Sequence, residues 1–224
     1  MALDFQSEQQ AINLIKQLDP NKCRLKIGKE MFTHYGPKFV KGLIEKDFDV
    51  FLDLKFHDIP NTVAGAVQAA SKLGVWMVNV HALGGLKMLQ AAKNAINNSE
   101  KKPLLIGVTI LTSMDQQELV HIGLTGDSQS NVLRLAGLCH QAGLDGVVCS
   151  AQEAPLLRKE FGDDFILVTP GIRLNNSKTD DQQRIMTPKA AVNNGADYLV
   201  MGRPITKAIN PIQTLDEILL EIKQ

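Results

Sequence analysis

The sequence predicts an α/β fold: a single (β/α)8 TIM barrel, one domain over residues 1–224. Three observations predict it. Short runs rich in Val, Ile, Leu and Phe alternate with longer amphipathic runs, in about eight units. No linker or low-complexity segment breaks that rhythm. Residues able to carry chemistry recur where the apolar runs end. Apolar strands that alternate with helices need cover on both faces, which means parallel pairing, and eight such units fit a closed barrel. An open doubly wound sheet would carry G-x-G-x-x-G after its first strand, and none occurs there.

Taken in order, the first strand is Ala2–Phe5, followed by "SEQQAINLIKQL" with Ser7 placed to cap a helix. Arg24–Gly28 is the second strand, and Val50–Leu54, which begins like a buried strand, is the third. The helical pattern "TVAGAVQAASKLG" stops at Gly74, a residue suited to the left-handed turn after a helix. Val75–Val80 and Leu104–Thr109 are the fourth and fifth strands. "SNVLRLAGLCHQAG" stops at Gly143 in the same way, ahead of Gly146–Cys149 and Phe165–Thr169. The polar stretch Leu174–Gln183, "LNNSKTDDQQ", reads as a mobile loop. "TPKAAVNNG" has Thr187 at an N-cap, Pro188 at the first helical position and Gly195 at the stop. Tyr198–Met201 is the eighth strand, and "PIQTLDEILLEIKQ" is a last amphipathic helix.

Composition narrows the function. Lys plus Arg and Asp plus Glu both number 24, so nothing suggests a polyanionic partner or an anionic membrane surface. No nucleic-acid or membrane role is expected. The cysteines, Cys23, Cys139 and Cys149, are far apart and form neither a disulfide framework nor a C-x-x-C pair. The first residues lack a basic n-region followed by an apolar run, and no apolar run approaches membrane-spanning length. A cytoplasmic globular protein is expected.

The charges then fall in a pattern. Asp4 ends the first strand, Lys26 lies late in the second, and Asp53 and Lys55 end the third. Thr112 and Ser113 follow the fifth strand, Pro170, Gly171 and Arg173 the seventh, and Gly202 and Arg203 the eighth. In a parallel barrel these ends meet on one face, where barrel enzymes place their chemistry. A solvated strand end would explain any single residue, but six strands ending this way together point to a site. Asp53 and Lys55 are two residues apart and so point to one side of a strand, with Lys26 on the neighbouring strand. Alternating signs make such a cluster tolerable and favour a charged ammonium, suited to donating a proton and poorly suited to Schiff-base attack. An ion-pair network that only stabilises the fold would have no need to sit at this end of the barrel.

A second pattern suits an anion. "TPGIR" and "GRPI" supply glycines whose backbone N–H groups can approach a phosphate, and Pro204 and Ile205 read as the start of a short helix. Arg203 can add a bidentate contact. Barrel phosphate sites commonly lie after strands seven and eight.

The stretches "DLKFHDIPNTV", "LTSM", "TPGIR", "DQQRIMTP" and "GRPIT", in this order, closely resemble orotidine 5′-phosphate decarboxylases. The resemblance runs from "ALD" at residues 2–4 to "GRPIT" at 202–206. D-x-K-x-x-D alone is shared with sugar-phosphate decarboxylases of the same superfamily, whereas the five stretches together are specific. The resemblance implies removal of the C6 carboxylate of orotidine 5′-monophosphate to give UMP, the last step of de novo pyrimidine synthesis, with no metal or organic cofactor. It implies Lys55 as proton donor to C6, Asp53 as the carboxylate beside the departing CO2, and Lys26 and Asp58 completing the charge array. It also implies a homodimer in which Asp58 and Thr62 complete the partner's site. Asp4 and Lys26 are expected at the ribose hydroxyls, Thr112 and Ser113 at the pyrimidine, and Ile59 and Pro170 against the substrate. Arg173, Gln182, Gly202 and Arg203 are expected at the phosphate, with the 174–183 loop closing over it.

The remaining histidines are less informative. His57 is read as structural or interfacial, and His81 could line the site. His34, His121 and His140 lie in helical or loop patterns and read as solvated or interfacial. No His, Cys and Asp residues share metal-ligand spacing.

Overall fold

A computed structural model describes residues 1–174 and 186–223. Eight strands pair in chain order, every neighbouring pair parallel: β1 (Ala2–Leu3), β2 (Leu25–Gly28), β3 (Val50–Phe56), β4 (Met77–His81), β5 (Leu104–Val108), β6 (Gly146–Val148), β7 (Ile166–Thr169) and β8 (Tyr198–Leu199). The Ala2 N–H donates to the Met201 carbonyl at 2.7 Å, which joins the end of β8 to β1 and closes the barrel. The helices are α1 (Glu8–Ile15), α2 (Lys29–Ile44), α3 (Pro60–Leu73), α4 (Gly85–Ala95), α5 (Gln116–His121), α6 (Ser128–Gln141), α7 (Ala154–Phe161), α8 (Pro188–Asn193), α9 (Arg203–Thr206) and α10 (Pro211–Lys223).

Side-chain alternation sorts the strands into two layers. Leu25, Ile27, Val50, Leu52, Val78, Val80 and Leu105 point outward and are buried beneath the helices. Each such Leu or Ile contributes about 1.5–3 kcal/mol by leaving water. Phe51, Met77, Ile106 and Val168 point inward and fill the barrel with a separate apolar cluster. Two residues further along, the inward positions become Asp53, Asn79 and Val108 on β3, β4 and β5. The interior is therefore an apolar plug with polar groups at its carboxyl end.

The caps follow the sequence at several points. Thr187 accepts the Ala190 N–H at 3.3 Å with Pro188 behind it, and Gly74 takes φ 87° after α3. Ser7 sits at the N-cap of α1 without a side-chain cap bond, and the cap of α6 is Asp127, which accepts the Ser130 N–H at 2.8 Å. β1 and β8 are shorter than expected, whereas β3 continues past Leu54 through Lys55 to Phe56. The 174–183 loop lies, apart from Leu174, outside the described residues.

Candidate active site

Two strands build the charged row, with Asp4, just past β1, beside it. Lys26 on β2 stands beside Asp53 on β3, because Gly28 and Asp53 are register partners and Lys26 pairs with Phe51. The Lys26 ammonium lies 3.1 Å from Asp53 Oδ2 and 3.6 Å from Asp4 Oδ1. Lys55 Nζ donates to Asp53 Oδ1 at 2.6 Å. Gly28 leaves the space this needs: a Cβ there would lie 3.3 Å from Lys26 Nζ and 3.5 Å from Asp4 Oδ1.

Lys55 reaches the row by an unusual route. Its φ is 52°, one of two positive values among the described non-glycine residues. Such a conformation costs a lysine about 1–2 kcal/mol. Here β3 bulges: Leu52 pairs with Val78 and Phe56 with Val80, so three residues of β3 face one of β4. That one is Asn79, fully buried. Its Oδ1 accepts the Lys55 N–H at 2.8 Å and its Nδ2 donates to Asp53 Oδ1 at 2.7 Å.

Burial by itself would raise the Asp53 carboxyl. The charges of Lys26 and Lys55, with hydrogen bonds from Lys55 and Asn79, outweigh it and hold Asp53 at about 2. The row therefore carries a fixed carboxylate between two ammonium groups.

These residues floor a cavity of ≈ 320 Å³ that also takes in Thr112, Ser113, Pro170, Gly171, Arg173, Gly202 and Arg203. Arg173 is largely buried, with its N–H on the Met186 carbonyl at 3.0 Å and one guanidinium nitrogen on the Ile172 carbonyl at 3.0 Å. Gly171 turns the chain at φ 81°, and α9 begins at Arg203 with Pro204 in its first turn. The cavity thus brings together the charged row, two arginines and backbone turns, an arrangement fit for an anionic ligand that carries a reacting group.

Asp58, Ile59 and Thr62 lie outside this cavity, exposed where α3 begins, with Ile59 66% exposed. Gln182 lies outside the described residues. His81 does not line the cavity either. Its ring stacks on His57 at 5.3 Å, and its Nδ1 has no hydrogen-bond partner among the described residues. Burial, then His57, Lys55 and Lys29, lower His81 to about 4, so the ring is neutral at ordinary pH. His34, His121 and His140 are exposed on helices, and His140 packs against Phe161 and Phe165. Among the described residues no three His, Cys, Asp or Glu side chains gather in metal-binding range.

Sequence reasoning missed Gly28 and Asn79. The signal was present for both: each is a non-apolar residue at an inward position of an apolar strand, two residues beyond Lys26 and Met77 respectively.

The comparisons converge. A family model described as orotidine 5′-phosphate decarboxylase / HUMPS family matches residues 1–218. The orotidine 5′-phosphate decarboxylase of Tolumonas auensis is 58% identical over 224 residues, 99% of this chain and 97% of its own length. That of Hydrogenovibrio crunogenus is 61% identical over 218 residues, 97% of this chain and 92% of its own. The crystal structure of the Lactobacillus acidophilus orotidine 5′-phosphate decarboxylase superposes with a TM-score of 0.89 at 37% identity, covering 100% of this chain and 97% of that one. With the matching model spanning nearly the whole barrel and full-length relatives this similar, the chain belongs to the orotidine 5′-phosphate decarboxylase / HUMPS family.

Proposed function

We propose that this chain decarboxylates orotidine 5′-monophosphate to UMP, the closing step of pyrimidine nucleotide synthesis, in the cytoplasm and without a cofactor. The observation that carries the reading is the Lys26–Asp53–Lys55 row in a cavity that Arg173 and Arg203 also line. The C6–carboxylate bond breaks, CO2 leaves, and the electron pair stays on C6. Lys55 Nζ then gives its proton to C6, and the neutral amine is reprotonated from solvent. The ammonium stabilises the developing carbanion charge before the proton moves, because its position is fixed by Asp53 in advance. Asp53 stands beside the place where the substrate carboxylate would lie, so departure of CO2 relieves repulsion between like charges. Arg173, Arg203 and Gly202, with Gln182, hold the phosphate. Thr112 and Ser113 face the base, and Asp4 and Lys26 the ribose. Binding of the distant phosphate supplies energy that orients the reacting ring.

The exposed Asp58, Ile59 and Thr62 support a homodimer in which each chain's Asp58 and Thr62 complete the other's site. Mixing Asp58→Ala with Lys55→Ala protein should restore part of the activity through hybrid dimers holding one native site. Subunit exchange without returning activity would overturn the shared-site reading. The activity itself is tested by following loss of orotidine monophosphate absorbance with a strong chelator present. Full turnover is expected; turnover that chelator abolishes, or none at all, would point instead to a metal-dependent lyase or a binding protein on the same barrel.

A further inference from the structure

We infer that Asn79 is a positioning residue for the decarboxylation, one that sets the Lys55 ammonium by holding both its backbone and its carboxylate partner. This rests on the reading of Lys55 as proton donor given above.

The β3 bulge carries the argument. A regular ladder would satisfy the Lys55 N–H from the β4 backbone, but the register shifts between Leu52 and Phe56, and the Asn79 side chain takes that role at 2.8 Å. The same amide reaches Asp53 Oδ1 at 2.7 Å, the oxygen that also receives Lys55 Nζ at 2.6 Å. Asn79, Lys55 and Asp53 thus form a closed loop of contacts through one side chain. Its orientation is forced. The backbone N–H needs an oxygen and the carboxylate needs a donor, so the amide cannot flip. Among side chains of this size, only an amide offers one acceptor and one donor in that fork at neutral pH. Asp would set two carboxylates against each other, and Leu would leave a backbone donor and part of a buried carboxylate unmet. Asn79 is fully buried and flanked by apolar neighbours, Val78 and Val80, that face the helices. The amide is thus an isolated polar group set under the row. The left-handed backbone at Lys55, φ 52°, is the strain that this bond sustains.

Two variants, measured beside Lys55→Ala, test this. Asn79→Ala should lower kcat by roughly 100-fold, the effect of displacing a reacting group by about 1 Å, while the affinity for UMP changes little, because the phosphate and ribose contacts remain. Asn79→Asp keeps the acceptor for the Lys55 N–H. When protonated it also donates to Asp53; when ionised it repels it. Its kcat should approach the wild-type value at acid pH and fall as the new carboxyl ionises, a descending limb added to whatever pH dependence the wild type shows. A residue that merely fills space would produce no such limb. Wild-type kcat in Asn79→Ala overturns the proposal, as does an Asn79→Asp profile parallel to that of the wild type. If Asn79→Ala fails to fold, the Asn79→Asp profile decides alone. If Lys55→Ala still turns over, the Lys55 reading falls and this proposal falls with it. An inactive Lys55→Ala beside a fully active Asn79→Ala overturns this proposal only.

Discussion

The barrel carries aspartates at both ends, and they are used differently. At the amino ends of the strands, Asp145 precedes β6 and Asp197 precedes β8. Asp145 accepts the Leu105 N–H of β5 at 2.7 Å and the Lys93 ammonium of α4 at 2.8 Å. Asp197 accepts the Leu167 N–H of β7 at 2.7 Å and a guanidinium nitrogen of Arg158 at 2.7 Å. Arg158 in turn donates to the Gly162, Asp163, Phe165 and Gly195 carbonyls, tying α7 to two loops. Each of these carboxylates satisfies the N–H of a strand's second residue and a helix's cation. Asp53, at the carboxyl end, accepts only from side chains among the described partners, and both of its cations face a cavity. A carboxylate bonded to backbone closes the fold, whereas one bonded to cations that face a cavity holds those cations in place.

The widest gap should appear between one substitution at each end. Asp53→Asn keeps the size and one acceptor oxygen but turns an amide N–H toward Lys26 and removes the charge between the ammoniums, and kcat should fall by about 10²–10³-fold. The same variant should lose acid sensitivity. Asp53 is held at about 2 against an ordinary 3.8, so its stabilising share is present above pH 3.8 and is lost as pH falls toward 2. Denaturant titrations across that window should be flatter in Asp53→Asn than in the wild type. Asp197→Ala leaves the Leu167 N–H and Arg158 short of a partner and should cost about 2 kcal/mol, about 4–8 °C in thermal midpoint. Its kcat should be unchanged. Loss of activity in Asp197→Ala, or full activity in Asp53→Asn, would erase the contrast.

A smaller effect belongs to His81. The unfolded chain protonates it below pH 6.5, the folded chain only near 4, so acidification across that interval favours unfolding. His81→Gln should be less destabilised than the wild type on going from pH 6.5 to 4 in urea titrations. An identical pH dependence would mean that His81 takes up its proton equally in both states.

Much of this was legible in the chain. Alternation of apolar strands and amphipathic helices gives the barrel, since a two-sided strand has few other homes. The row Lys26, Asp53 and Lys55 was legible because charge at the end of an apolar run stands out. The rest was hidden for physical reasons. α2 is broken by Gly36 at φ 62° followed by Pro37, so its helical period is interrupted mid-course and it left no clean pattern. The simple alternation that places Asp53 and Lys55 on one side reaches the right outcome although β3 is irregular there. The bulge is a property of two strands in register, and the sequence of one strand does not contain it. Asn79 was overlooked for the same reason: its partners are 24 and 26 residues away. Asp145 and Asp197 look like ordinary loop residues until their strands are aligned with β5 and β7.

The central claim is that one ammonium, set by Asp53, meets the charge left on C6. Lys55→Ala tests it most directly, with single-turnover decarboxylation and UMP affinity measured on the same folded protein. The account predicts turnover reduced by at least about 10³-fold, UMP bound nearly as well as by the wild type, and an unchanged oligomeric state. Rapid decarboxylation by Lys55→Ala would contradict it.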